Sequence, residues 1–172
     1  MKRFGFYILV VLCAFILQNN VFAYLPIIDA TPNLLLIVVF SFGFIRGRTE
    51  GMLIGFFSGL LMDICFSNVI GYYALIYLII GYINGMIGHL FYTEFLNMPL
   101  LLCVLSDFVY NLYIYVFGFL LHGKLSIPVY VSNVILPEIV YTAILTLGLY
   151  HLILHLNQRM ENIEKRSAKE FV

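Results

Sequence analysis

The sequence predicts an all-α, polytopic membrane protein with six transmembrane helices and both the N- and C-termini on the cytoplasmic side. Composition is the first observation behind this. Of 172 residues, 63% are hydrophobic and 10% charged, against roughly 25% charged in an average soluble domain. A soluble chain this short cannot hide so much apolar surface, whereas a bilayer acts as the outer solvent and helices satisfy their own backbone polar groups. The second observation is length: apolar stretches close to the roughly 20 residues needed to cross a bilayer alternate with short polar breaks. The third is the placement of basic residues, which collect in cytoplasmic loops.

The elements follow in order. Behind Lys2 and Arg3, a first helix is expected from Phe4 to about Leu25. A signal peptide is the rival reading of this segment, since a basic start and an apolar run to Leu17 lead to Val21-Phe22-Ala23. An uncleaved helix is expected, because the later basic residues then fall on the correct loops. A second helix starts after Pro32 and ends near Ile45, and the tight turn Arg46-Gly47-Arg48-Thr49-Glu50 leads into a third, Gly51 to about Phe66. Ser67-Asn68 breaks the chain before a fourth, Gly71 to Leu90, whose exit carries Phe91-Tyr92, Glu94 and Asn97. Pro99 opens a fifth, reaching about Leu121, and His122-Gly123-Lys124 with Pro128 forms a loop. The sixth covers roughly Ser132 to Leu156. The chain thus divides into a six-helix membrane domain, 1–156, and a charged cytoplasmic tail, 157–172, with a short amphipathic seam at Leu156, Met160, Ile163 and Phe171 and an i,i+4 pair, Glu161 and Lys165. Six spans with the N-terminus inside place Lys2, Arg3, Arg46, Arg48, Arg159, Lys165, Arg166 and Lys169 in the cytoplasm, leaving only Lys124 outside. Tyr24 and Phe91-Tyr92 fall near the interfaces, as belt aromatics do.

Several function classes find no support. The net charge is zero, so nothing favours nucleic acid. Cys13, Cys65 and Cys103 are isolated in apolar stretches, without metal-ligand or disulfide spacing. His151 and His155 are four apart but lack a third ligand nearby, so no metal and no cofactor is expected.

The candidate site residues are small or acidic. Gly43, Gly47, Gly51, Gly55 and Gly59 recur every four residues, and Gly51, Gly55 and Gly59 form one stripe on the third helix that Asp63 continues. Small residues at that spacing let helix backbones approach in lipid, so the stripe is either an internal packing surface or a docking face for a partner helix, with Asp63 the functional residue. Gly81, Gly85 and Gly88 repeat the theme on the fourth helix. Asp107 lies mid-span on the fifth helix with Tyr110 and Asn111 on its face, and Glu138 follows Pro137 near the outer end of the sixth. No Lys or Arg occupies a span, so these acids are protonated, hydrogen-bonded or paired with another chain. Bonding of Asp107 within its Tyr-Asn stripe or to a neighbouring helix is the expected arrangement. An intramembrane peptidase would need two carboxyls sharing a proton, but Asp63 and Asp107 differ in depth by very roughly 10 Å, and Asp63 with Glu138 matches no peptidase motif.

The order of these features resembles the MreD family of bacterial rod-shape-determining membrane proteins over the whole chain. The resemblance rests on Leu17-Gln18, Pro32-Asn33-Leu34-Leu35-Leu36-Ile37, the Gly47, Gly51 and Gly55 ladder, Gly59-Leu60-Leu61-Met62-Asp63, and Gly71 followed by Ala74 and Gly81. It implies a small, non-enzymatic scaffold of the cell-wall elongation machinery in the cytoplasmic membrane. Such a scaffold acts with the bitopic protein MreC and, through it, on a RodA-type glycosyltransferase and a class B penicillin-binding protein. It further implies a helix arrangement similar to the substrate-binding subunits of energy-coupling-factor vitamin transporters. That second likeness supplies an alternative: a vitamin-binding subunit whose Asp63, Glu138 and Lys124 converge on an outer pocket.

Overall fold

The computed structural model describes residues 2–22, 31–90, 97–119 and 130–169. Helix α1 spans Lys2–Ile16 and continues as π-helical turns over Leu17–Phe22. Helices α2, α3 and α4 span Leu34–Arg46, Arg48–Phe66 and Tyr72–Leu90. Helix α5 spans Asn97–Ile114 and widens into π-helical turns over Tyr115–Phe119. Another such turn, Val131–Ile135, precedes α6, Leu136–Lys169. The described residues contain no strand. Among the described residues, four stretches are long and apolar enough to cross a membrane, Gly5–Phe22, Arg48–Phe66, Met98–Gly118 and Val131–Met160. The all-α, polytopic class expected from the sequence is the one observed. Ala23, Tyr24, Phe91, Tyr92, Glu94, Lys124 and Phe171 lie outside the described residues.

Helix α2 is the pillar of the bundle. Its sequence is apolar around the whole circumference, which suits a helix surrounded by protein, and every residue from Leu34 to Gly43 is buried. It touches α1, α3, α4, α5 and α6. With 13 residues it is roughly 20 Å long, shorter than the hydrocarbon core of about 30 Å. The outer helices carry the lipid-facing side chains, such as Leu9, Ile64, Leu101 and Ile144. Between α1 and α3 they leave a shallow apolar groove of about 440 Å³.

Gly47 alone separates α2 from α3, at φ +97°, a left-handed conformation that glycine adopts without penalty. The five-residue turn expected at Arg46–Glu50 therefore contracts to one residue, because Arg48, Thr49 and Glu50 are already helical.

The glycine stripe of α3 faces the same chain. Gly51 lies against Gly81, Gly55 against the Tyr77 carbonyl, and Gly59 against Tyr73 and Ala74. From the other side Gly81 meets Gly51, Gly85 meets Arg48, and Gly88 meets Phe44 of α2. At each of these positions a β-carbon would fall within 3.0 Å of a backbone atom. Of the two arrangements open to the stripe, internal packing is the observed one: α4 occupies the surface on which a partner helix would have docked.

Helix α6 also departs from expectation. A span of 132–156 followed by a charged tail becomes one helix of 34 residues. Between Leu149 and Lys169 there is no glycine or proline to interrupt it. At roughly 50 Å it is longer than the hydrocarbon core is thick, so its end continues past the membrane.

Candidate functional site

Polar side chains concentrate at the end of the bundle where α1, α3 and α5 finish and α2, α4 and α6 begin. The recessed N-terminus of α2 is capped twice. Asn33 Oδ1 accepts from the Leu36 N–H at 3.1 Å, and Gln18 Oε1, from the π-helical turns of α1, accepts from the Leu35 N–H at 3.0 Å. These bonds satisfy donors that a helix start leaves orphaned. Asn33 Oδ1 also accepts from the Tyr77 hydroxyl at 2.8 Å, and the Asn33 N–H donates to Thr142 Oγ1 at 3.2 Å. One asparagine thereby joins α2 to α4 and α6.

Two polar stripes face each other along α5 and α6. Cys103, Asp107 and Asn111 are four residues apart on α5, and Glu138, Thr142 and Thr146 are four apart on α6. Because the helices run antiparallel, the residues pair as three rungs. Cys103 Sγ lies 3.1 Å from Thr146 Oγ1, the Thr142 hydroxyl approaches Asp107, and Asn111 and Glu138 share the wall of one cavity. Thr146 Oγ1 donates back to the Thr142 carbonyl at 2.7 Å, and Asn111 Nδ2 to the Asp107 carbonyl at 3.1 Å. Asp107 is 0% exposed, yet neither carboxyl oxygen makes a hydrogen bond of good geometry. The bonding expected within its Tyr-Asn stripe therefore goes to the Asp107 backbone carbonyl. Glu138 and Asp107 fall on successive rungs of the facing stripes, a pairing that chain position did not reveal. The signal lay in the two four-residue polar spacings, legible only once read together as facing stripes.

Above this ladder a cavity of about 300 Å³ opens. Its walls include Asn19, Tyr73, Tyr110, Asn111, Tyr130 and Glu138. Tyr73 and Tyr110 are stacked with centroids 6.5 Å apart, and Tyr110 packs on Tyr77 at 5.3 Å.

Asp63 is not part of the cavity wall. It is 1% exposed, and its carboxylate accepts from the N–H groups of Gly71, Tyr73 and Ala74 at 2.9, 2.7 and 3.0 Å. It caps the start of α4 from the end of α3, while Gly71, at φ +104°, turns the chain beneath it. The convergence of Asp63 with Glu138 on one pocket is thus not what the geometry gives, because all three of these bonds hold Asp63 on α4. Lys124 lies outside the described residues.

The opposite end is basic. Arg46 Nε donates to Asn157 Oδ1 and lies 4.0 Å from Glu50, which accepts from the Tyr7 hydroxyl. This cluster ties α1, α2, α3 and α6. Asn157, expected to open a solvated tail, is buried at this junction. His155 accepts from Arg159 Nε at 3.2 Å along α6, and no three His, Cys, Asp or Glu side chains gather among the described residues.

The model of a protein family, rod shape-determining protein MreD, matches residues 2–160. The chain belongs to the MreD family. It is accordingly a membrane protein of rod-shape determination. No curated protein and no solved structure matches the chain. In this MreD-family fold, Gln18 and Asn33 cap the pillar helix, and the glycines with Asp63, Gly71 and Ala74 build the α3–α4 contact. The residues carrying the family resemblance therefore belong to the framework of α1–α4, and the α5–α6 ladder lies beyond them.

Proposed function

We propose that this chain is a non-enzymatic scaffold of the bacterial cell-wall elongation machinery in the cytoplasmic membrane. It acts with an MreC-like bitopic protein and, through it, influences a RodA-type glycosyltransferase and a class B penicillin-binding protein. The family match over residues 2–160 carries this reading. The use of the polar groups supports it: Asp63, Gln18, Asn33 and Arg46 hold helices to one another. The basic residues Arg46 and Arg48 favour the cytoplasm for that end, and the cavity end then faces outward.

The alternative, a substrate-binding subunit of a vitamin-type transporter, draws on one observation, the polar cavity. A single experiment separates the two. Affinity purification of the tagged chain from its native membrane in mild detergent should recover an MreC-like protein, and depletion of the chain should make rod-shaped cells round. Recovery of a transporter ATPase pair in place of cell-wall proteins would overturn the scaffold reading.

A further inference from the structure

Among the described residues, the cavity wall combines an acidic and several aromatic residues without a base. Glu138 lies in its wall, and Asp107 sits one ladder rung below with both carboxyl oxygens unbonded. Among the described residues no Lys or Arg lines the cavity, and the arginine side chains with a bonded partner, Arg46 and Arg159, belong to the opposite end. Within a membrane, a carboxylate with no counter-charge is costly and has to be neutralised by a proton or a cation.

We propose that this cavity is a binding site for a small organic ammonium group, with Glu138 as its counter-ion and the tyrosine rings as its wall. Ring faces attract cations, and aromatic surroundings beside a carboxylate are the chemistry that recognises substituted ammonium groups. Tyr73, Tyr110 and Tyr130 are among the cavity's lining residues. The space of about 300 Å³ is at the lower end of the range for small-molecule sites, enough for a choline-sized group. A bare metal ion is the poorer fit, since it requires several converging ligands and no three His, Cys, Asp or Glu gather among the described residues. The surrounding backbone points the same way. The π-helical turns Leu17–Phe22, Tyr115–Phe119 and Val131–Ile135 all lie at this end, and such turns are frequent at functional sites. A free ammonium solute and the amine headgroup of a lipid share this chemistry. The site does not depend on the scaffold role, because binding is measured on the chain alone.

The test uses the purified full-length chain in detergent, followed by thermal unfolding. Choline chloride should raise Tm in a concentration-dependent way beyond an equal addition of sodium chloride. The neutral isostere 3,3-dimethyl-1-butanol and the anion acetate should not. Glu138→Gln keeps the side-chain size and should weaken the choline response by about 30-fold or more, the loss typical when one member of a buried charge pair is removed. If that variant does not accumulate, the three probes on the wild-type chain decide alone. No response to choline, an equal response to the isostere, or an undiminished response in a folded Glu138→Gln chain overturns the proposal. Nanodiscs distinguish the source. A choline response present in phosphatidylglycerol and lost in phosphatidylethanolamine identifies a lipid headgroup as occupant, whereas a response in both identifies a free solute.

Discussion

Asp63 shows how one side chain can fix the geometry of two helices. Its carboxylate takes three N–H groups at the start of α4, at 2.7–3.0 Å, donors that would otherwise be unsatisfied at a helix start. Charge-assisted bonds of this kind are stronger than neutral ones, and the negative charge also suits the positive end of the α4 dipole. Asp63→Ala should therefore lower stability by about 1–3 kcal/mol, the cost of leaving buried donors unsatisfied. Asp63→Asn, which keeps one acceptor oxygen, should fall between. Unfolding of the purified variants in detergent measures both. An alanine variant as stable as wild type would show that water replaces the carboxylate at little cost. The sequence exposes Asp63 as an acid continuing a glycine stripe, yet not its purpose, because a stripe indicates which face a residue occupies and not which backbone it meets.

At the scale of elements, the α3–α4 pair is bound by surface shape. Every glycine along the contact admits a neighbouring backbone where a side chain would collide, and close approach with good van der Waals contact is what holds helices together in lipid. Gly55→Leu should consequently yield a chain that aggregates or is degraded, since the new side chain would have to displace the Tyr77 backbone. Gly148→Leu is the matching control: a β-carbon there meets nothing within 4 Å, and that variant should accumulate normally. Size-exclusion profiles of the two after expression decide the point. A monodisperse Gly55→Leu chain at wild-type yield would mean that the contact is looser than its distances indicate.

For the whole molecule, the testable property is its orientation in the membrane. In the orientation proposed above, with Arg46, Arg48 and Arg159 at the inner end, the continuous α6 helix carries Ser167 into the cytoplasm. A cysteine introduced at Ser167 in a chain otherwise lacking cysteines should resist impermeant thiol reagents in intact cells and react after the membrane is opened. Ready labelling of intact cells would reverse the orientation, and the cavity with it. The helix count and most helix limits were legible in the sequence, because apolar runs of membrane length are interrupted by few residue types: Pro32, Gly47, Ser67-Asn68 and Pro99. Arrangement was not. Leu34–Gly43 reads as one more span, while its completely buried circumference depends on five neighbours. Likewise Asp107 and Glu138 are far apart in the chain, and only the antiparallel run of α5 and α6 brings Asn111 and Glu138 to the wall of one cavity.

The sequence separation of these contacts orders the making of the protein. Synthesis proceeds from the N-terminus and structure assembles behind it. The α3–α4 pair, with Asp63 reaching residues only 8 to 11 positions ahead, is complete as soon as Leu90 has been added. The bonds from Asn33 to Thr142 and from Arg46 to Asn157 span 109 and 111 residues, and both wait for α6. Until the last helix arrives, the pillar has its α3–α4 flank but neither of its long-range fastenings, one at each end. A nascent chain stopped before residue 130 therefore contains the family's glycine framework and lacks one wall of the cavity. The polar ladder and the part-buried Arg46–Asn157 bond are the final closures of the bundle.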